Sequence, residues 1–324
     1  MKVLVTGANG FVGSHIVEML VEQGHTPVCL VRSTSNLKWL KDTAIEQRTG
    51  DICSPASLAN AVRGVDAVIH AAGILRAKDR DSYFRVNEQG TLQLAQAVLS
   101  HAPGLKKFIL ISSQAAMGPS QSFAPKQLHE PETPVSDYGR SKLAGEKTLS
   151  ILKGKVPFTI LRPASVYGPR DKDIFIFFQL VHYGFRPRTT SSRYLQLLFV
   201  KDLARAALCA LSSDAANGST YFLGEQTPFQ WEEVSALIAQ AIKKKTFPLP
   251  LPDAAFYGTS FIAEVLASLC GKPAVLNRQK IDEMMQPYWL GNSVPAQKDL
   301  ALDFTKLDFG AKITYSWYRE NSWL

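Results

Sequence analysis

The sequence predicts a doubly wound, parallel α/β sheet with a smaller, mostly helical C-terminal lobe. Three observations carry this expectation. Short β-branched runs alternate with longer helical patterns through the first half, the runs are almost continuously apolar, and the alternation gives out after about residue 168. Strands covered on both faces read as unbroken apolar runs, and repeated strand–helix–strand units place neighbouring strands parallel. A chain of 324 residues can bury one large core and a smaller lobe. The expected division is residues 1–168 and 169–324, with parts of 195–223 returning to pack on the first unit.

Taken in order, "KVLVT" (2–6) reads as a strand and "FVGSHIVEMLVEQG" (11–24) as the helix after it. "PVCLV" (27–31) is the next strand, and "PASLANAVRG" (55–64) the next helix. "DAVIH" (66–70), a long helix over 83–100, "KFILIS" (107–112), a helix over 137–151 and "FTILR" (158–162) complete the regular half. Beyond residue 168 the apolar segments become irregular. "DIFIFFQLVHYGF" (173–185) spaces its aromatic residues as a packed helix does. "FPLPLPD" (247–253) cannot continue a helix, because proline lacks the amide donor and clashes with the preceding turn. Further helices are expected around 254–270, 277–286 and 311–321.

The composition, 46% apolar and 20% charged, describes a globular chain and excludes disordered or fibrous classes. A formal charge of +8 could suit nucleic acid, but the basic residues are scattered and their longest run is Lys243-Lys244-Lys245. No specific nucleic-acid partner is expected, and phosphorylated small molecules suit such a surface better. Cys29, Cys53, Cys209 and Cys270 lie far apart and the six histidines form no ligand-spaced pair. Neither metal nor disulfide is expected, and a reducing cytoplasmic location fits. No transmembrane segment is expected: "FIAEVLASLCG" (261–271) is too short and contains Glu264, so it reads as a packed helix, with peripheral membrane contact the alternative.

"TGANGFVGSH" (6–15) follows the first strand and opens the first helix. Gly7, Gly10 and Gly13 allow a sharp turn, close approach of a pyrophosphate and tight helix–strand packing. The helix N-terminus adds free N–H groups and partial positive charge. A dinucleotide site is expected there. After the second strand stand Arg32 and Ser33, where a carboxylate would favour NAD. A guanidinium pairs with phosphate oxygens, so NADP is expected, with NAD possible and a solvated loop arginine the plain alternative. Asp51 could accept from the adenine amino group with Ile52 against the ring, or Asp51 could cap the next helix.

"YGRSK" (138–142) places Tyr138 and Lys142 one helical turn apart, on one face. This is either a surface pair or an activated proton donor. An ammonium ~4 Å from a phenol favours the phenolate by roughly 4 kcal/mol at an effective dielectric of about 20, and burial opposes that gain. A net lowering of the phenol's pKa is expected.

The glycine turn, "HAAG" (70–73), Asn87, "LISSQAAMG" (110–118), the Tyr138/Lys142 pair and "RPASVYGPRD" (162–171) together resemble the extended short-chain dehydrogenase/reductase family, nearly end to end. "LVRSTSNLKWL" (30–40) and "SWYRENSWL" (316–324) are most similar to the branch of dihydroflavonol reductases and 3β-hydroxysteroid dehydrogenase-like proteins. The resemblance implies a Rossmann sheet, a possible homodimer, and Ser113, Tyr138 and Lys142 as catalytic residues, with Ser112 the rival serine. It implies cofactor contacts from Gly7, Asn9, Gly10, Phe11, Val12, Gly13, Arg32, Ser33, Asp51, Ile52, Ala71, Ala72, Gly73, Asn87, Tyr138, Lys142, Pro163, Ala164, Ser165 and Val166. A packing or capping role for Asn87 stands beside that. Sugar-nucleotide epimerases of the family carry Asn where Ser165 stands and Arg where Leu195 stands. The expected substrate is therefore an apolar or cyclic ketone or alcohol, walled by Ile74, Leu75, Met117, Phe175 and Phe178, with Arg76 and Tyr83 nearby. An epimerase or dehydratase using the same residues is the first alternative, and a non-catalytic NADP-sensing regulator is the second.

Overall fold

The alternation becomes a seven-stranded parallel sheet in the computed structural model, which describes residues 1–41, 43–255, 257–258 and 277–324. The first six strands are β1 (Lys2–Thr6), β2 (Thr26–Val31), β3 (Glu46–Thr49), β4 (Ala67–His70), β5 (Lys107–Ile111) and β6 (Phe158–Pro163). Short strands follow: β7 (Ser165–Tyr167), β8 (Phe185–Thr189), β9 (Tyr194–Leu195) and β10 (Leu197–Phe199). Then come β11 (Thr220–Leu223), β12 (Phe229–Gln230), β13 (Phe247–Leu251) and β14 (Tyr288–Trp289). The large sheet runs β11-β6-β5-β4-β1-β2-β3. Strand order reverses between β1 and β4, and in open α/β sheets ligands collect beyond the carboxyl ends of strands at that reversal.

Continuous burial explains the continuous apolar runs. Val3, Leu4, Val5, Val68, Ile69, Phe108 and Ile109 are inaccessible to solvent between helices on both faces. β3 is different: "EQRT" is an edge strand of half-buried and exposed residues, held by Glu46 pairing with Lys2 at 2.6 Å and with Arg48. Nothing in its polarity marks it as a strand. From the 195–223 region, β11 extends the sheet beside β6, and α7 (Val200–Ser212) packs on α1 (Phe11–Glu22).

Between them in sequence lie α2 (Pro55–Val62), α3 (Arg80–Phe84), α4 (Gly90–His101), α5 (Asp137–Thr148) and α6 (Phe175–His182). The helix expected over 83–100 runs from α3 into α4 through a π turn, Arg85–Gln89. Such a wide turn inserts one extra residue per turn and often marks a functional position. α5 starts on Ser136, whose Oγ accepts from the Gly139 N–H at 3.0 Å. A Cβ at Gly139 would sit 2.4 Å from the Ala115 carbonyl oxygen, and one at Gly145 2.2 Å from that of Asn87. Bare backbone at both positions lets α5 lie hard against the 110–118 segment and the π turn, which brings Tyr138 to the end of β5.

The remaining helices are α8 (Trp231–Ala241), α9 (Arg278–Met284), α10 (Val294–Asp299) and α11 (Leu307–Glu320). α11 buries Tyr318 completely against Phe175 and Phe178, the centre of an apolar cluster drawn from residues 167 to 324. Trp39 of the 30–40 loop packs at a tilt against Trp317, with ring centroids 5.6 Å apart, and so ties that loop to the C-terminal segment. The 261–271 segment lies outside the described residues, as does most of the helix expected around 254–270.

Candidate active site

One cavity of about 1330 Å³ runs from the glycine turn, past the end of β5, to the small strands of the C-terminal lobe. Its first wall is the turn itself. Gly7 has a left-handed φ of 69°, and a Cβ there would lie 2.7 Å from the Ala72 nitrogen. At Gly13 a Cβ would lie 2.1 Å from the Gly7 carbonyl oxygen, so the turn and the start of α1 close on each other without side chains. Gly10 lines the cavity, and a Cβ there would meet only the Gly7 oxygen at 3.1 Å, so a side chain would fill the cradle. The first amides of α1, Phe11 to Gly13, have no preceding helical carbonyl to bond and lie on the cavity wall. That is the donor set a pyrophosphate needs, and the residues fit a dinucleotide.

Farther along this wall, Arg32, Asp51, Ile52, Cys53 and Arg85 surround the end where an adenosine would lie. The Arg32 backbone is fixed by Ser35, whose Oγ accepts from the Arg32 N–H at 3.0 Å. Asp51 also caps the turn after β3, accepting from the Cys53 N–H at 2.8 Å. Ser33 is absent from the wall, whereas Ser35 lines it.

Asn9, Ala71, Ala72, Gly73, Pro163, Ala164, Ser165 and Val166 also line the cavity. Asn87 does not. It is buried behind the 70–76 loop, where its Oδ1 accepts from the Ile74 N–H at 2.9 Å. Its Nδ2 donates to the Ile74 carbonyl at 3.1 Å and to Ser141 Oγ at 2.9 Å. Asn87 therefore ties the loop to α5.

At the middle of the cavity stand Ser113, Tyr138 and Lys142. Ser113 lies close enough to the Tyr138 phenol to act on its proton, and its Oγ accepts from the Ala115 N–H at 3.1 Å. Ser112 also reaches the wall, but its hydroxyl donates to Glu146 below the site. Glu146 is paired with Arg162 at 2.6 Å, both buried, and Arg162 Nη1 in turn lies 3.1 Å from the Met117 sulfur. Lys142 donates from Nζ to the Ile111 carbonyl at 2.8 Å, which fixes the ammonium at the end of β5.

The expected lowering of the phenol does not hold in this geometry. Burial is the largest influence on Tyr138 and pushes its pKa well above the usual tyrosine range, with Glu283 and Asp173 adding to the rise and the Ser113 hydroxyl opposing it. Burial also pushes Lys142 down to about 8, against the attraction of Glu146. His70, sealed between Thr6 Oγ1 at 2.6 Å and Thr91 Oγ1 at 3.0 Å, is driven to about 3 by burial and then by Lys142, so it is neutral.

The third wall differs from expectation in its residues. Ile74 and Leu75 line it, and Arg76 meets Asp173 across it. Met117, Phe175 and Phe178 do not line it. Met117 is fully buried under Arg162, while Phe175 and Phe178 pack on Tyr318. Aromatic and aliphatic residues lie on several sides of α6, so spacing alone could not tell which side faces the cavity; the side that does carries Ile176, Phe177, Gln179 and Leu180. Tyr83 packs 6.4 Å from the Tyr138 ring and donates to the Leu75 carbonyl at 3.3 Å. Residues from distant segments complete the wall: Pro187, Leu195, Trp231, Leu251 and Trp289, with Glu283 of α9 facing Tyr138.

A family model described as the NAD dependent epimerase/dehydratase family matches residues 3–224. The chain is 29% identical to the ceramide reductase of Caulobacter vibrioides, across 99% of this chain and 96% of that protein. It is 26% identical to the 2-alkyl-3-oxoalkanoate reductase of Stenotrophomonas maltophilia, across 92% and 93% of the two chains. Among solved structures, the UDP-glucose 4-epimerase of Thermotoga maritima, determined with UDP-glucose, superposes with a TM-score of 0.81. It is 20% identical and covers 99% of this chain and all of that one, a likeness of fold.

Proposed function

The chain belongs to the NAD dependent epimerase/dehydratase family and is an NAD(P)-dependent enzyme of the extended short-chain type; from that premise we propose that it is an NADP-dependent reductase of apolar ketones. Its cofactor would lie with the pyrophosphate on the 7–13 turn, the adenosine between Ile52 and Arg32, and the nicotinamide end beside Pro163 to Val166. A bound nicotinamide supplies or accepts the hydride. Tyr138 gives a proton to the substrate oxygen, Ser113 holds that oxygen, and Lys142 holds positive charge beside both. Tyr138 stands protonated at neutral pH, the state from which a developing alkoxide can take its proton.

The observation that carries the substrate reading is the wall beyond Tyr138. Ile74, Phe177, Leu195, Trp231 and Trp289 present apolar surface there, and Leu195 stands where family epimerases carry an arginine. Apolar pockets select by burying hydrocarbon, at about 0.8 kcal/mol per methylene. Near-full-length similarity to a ceramide reductase and a 2-alkyl-3-oxoalkanoate reductase supports a substrate whose carbonyl carries long alkyl chains. The test offers NADPH with ketones of increasing chain length, and NAD with UDP-glucose. The expected result is net NADPH oxidation that grows more efficient with chain length. Cofactor-neutral conversion of UDP-glucose, with no ketone reduced, would replace the proposal with an epimerase.

A further inference from the structure

We propose that the β8–β13 ribbon, with the lysine turn before it, is a docking surface for an anionic lipid bilayer at the mouth of the cavity. β13 pairs in parallel with β8, placing Phe247 opposite Phe185, Leu249 opposite Pro187 and Leu251 opposite Thr189. Alternate residues of a strand share a face, so these six side chains form one track. At its inner end Pro187, Thr189 and Leu251 line the cavity. At its outer end Phe185 and Phe247 are 44% and 74% exposed. α6 runs the same way: Ile176 and Leu180 line the cavity, and Tyr183, next on that helical face, is 69% exposed. Exposed aromatic residues grouped at one site mark a contact surface, whereas single ones need no explanation.

Charge decides which partner fits. Lys243, Lys244 and Lys245 are all exposed and turn into β13, where the Phe247 N–H donates to the Gly184 carbonyl at 2.9 Å. Arg188 lies on the same ribbon, and its carboxylate neighbour is Glu232 at 3.8 Å; Asp253, beyond the inner end, is paired with Arg193. Cations beside exposed aromatic tips match the interfacial zone of a membrane carrying anionic headgroups. A polyanion such as RNA would use the lysines but leave the apolar track unexplained. The track leads inward to the cavity, and no described helix is long and apolar enough to cross a membrane, so the contact is peripheral. Passage of a substrate along the track rests on the apolar-ketone reading; the docking does not.

The experiment is co-sedimentation of the full chain with vesicles of phosphatidylcholine alone and of phosphatidylcholine with phosphatidylglycerol, without substrate, at low and high salt. Each lysine near an anionic surface is worth about a fivefold gain in affinity. The K243Q/K244Q/K245Q variant is therefore expected to lose roughly 100-fold in binding to the anionic vesicles. F185S/F247S is expected to lose at least about tenfold, and both variants should melt at the parent temperature, since all five positions are exposed. Parent protein left in the supernatant with every vesicle at low salt would overturn the proposal. So would variants that bind like the parent, or a solution dimer that F185S/F247S dissolves while vesicles bind nothing. Because no turnover is read, the reductase reading can fail while docking stands, and the reverse.

Discussion

Replacing Arg32 with alanine tests how the cavity chooses its cofactor. The side chain is exposed at the end of the cavity proposed for adenosine, while its backbone is held by the turn to Ser35, at 3.0 Å through Oγ and at 2.9 Å through the Arg32 carbonyl. Arg32→Ala should therefore remove the guanidinium and leave the turn. A hydrogen bond between charged groups contributes about 1.5–3 kcal/mol, or roughly 10- to 150-fold in affinity. Arg85 lies on the same wall and acts, like Arg32, on Cys53, so it should hold part of a 2′-phosphate's charge and keep the loss near the lower end. Isothermal titration with NADPH and NADH reads both arms. The expected result is a loss of about 10- to 30-fold for NADPH with less than about twofold change for NADH. Equal weakening of the two, or a parent protein that prefers NADH, would refute the assignment.

Two further outcomes follow from charged groups in and below the site. Glu146→Ala leaves the buried Arg162 guanidinium only Glu132, at 3.5 Å, and removes the acceptor of Ser112, so unfolding in urea should show a loss of about 3 kcal/mol, the lower end for a broken buried pair; a loss under about 1 kcal/mol would mean that Glu132 takes over the pairing. Burial holds Lys142 at about 8, well below the ordinary lysine value, so its ammonium is present below that pH and lost above it. Ketone reduction at saturating NADPH should fall as pH rises through about 8, and a flat rate to pH 10 would remove Lys142 from the rate-limiting step.

Much of the first domain was legible because its information is local. The five apolar runs became β1, β2, β4, β5 and β6 within a residue or so of their expected bounds, since sheet burial on both faces imposes a pattern that short windows display. Most of the residues expected at the cofactor cavity came from contiguous strand ends, which a parallel sheet gathers along one edge. Ser35, rather than Ser33, lines the cavity, because the turn after β2 folds its Oγ back onto the Arg32 N–H, which residue type alone does not display. The far wall was legible only at Ile74 and Leu75. Pro187, Leu195, Trp231 and Trp289 are distant in sequence, and only the folded second lobe brings them together. Tyr138 shows the same limit in its chemistry. The neighbouring Lys142 is visible at one helical turn, whereas Glu283 arrives from 145 positions later, and with burial it reverses the expected direction.

The most direct test is Tyr138→Phe, measured for both cofactor affinity and ketone turnover. The ring and its packing against Tyr83 would remain and only the hydroxyl would go. NADPH should bind within about twofold of the parent while turnover falls by roughly 10²- to 10⁴-fold, the range lost with a positioned general acid. Turnover retained within tenfold would contradict the proposal that this phenol moves the proton.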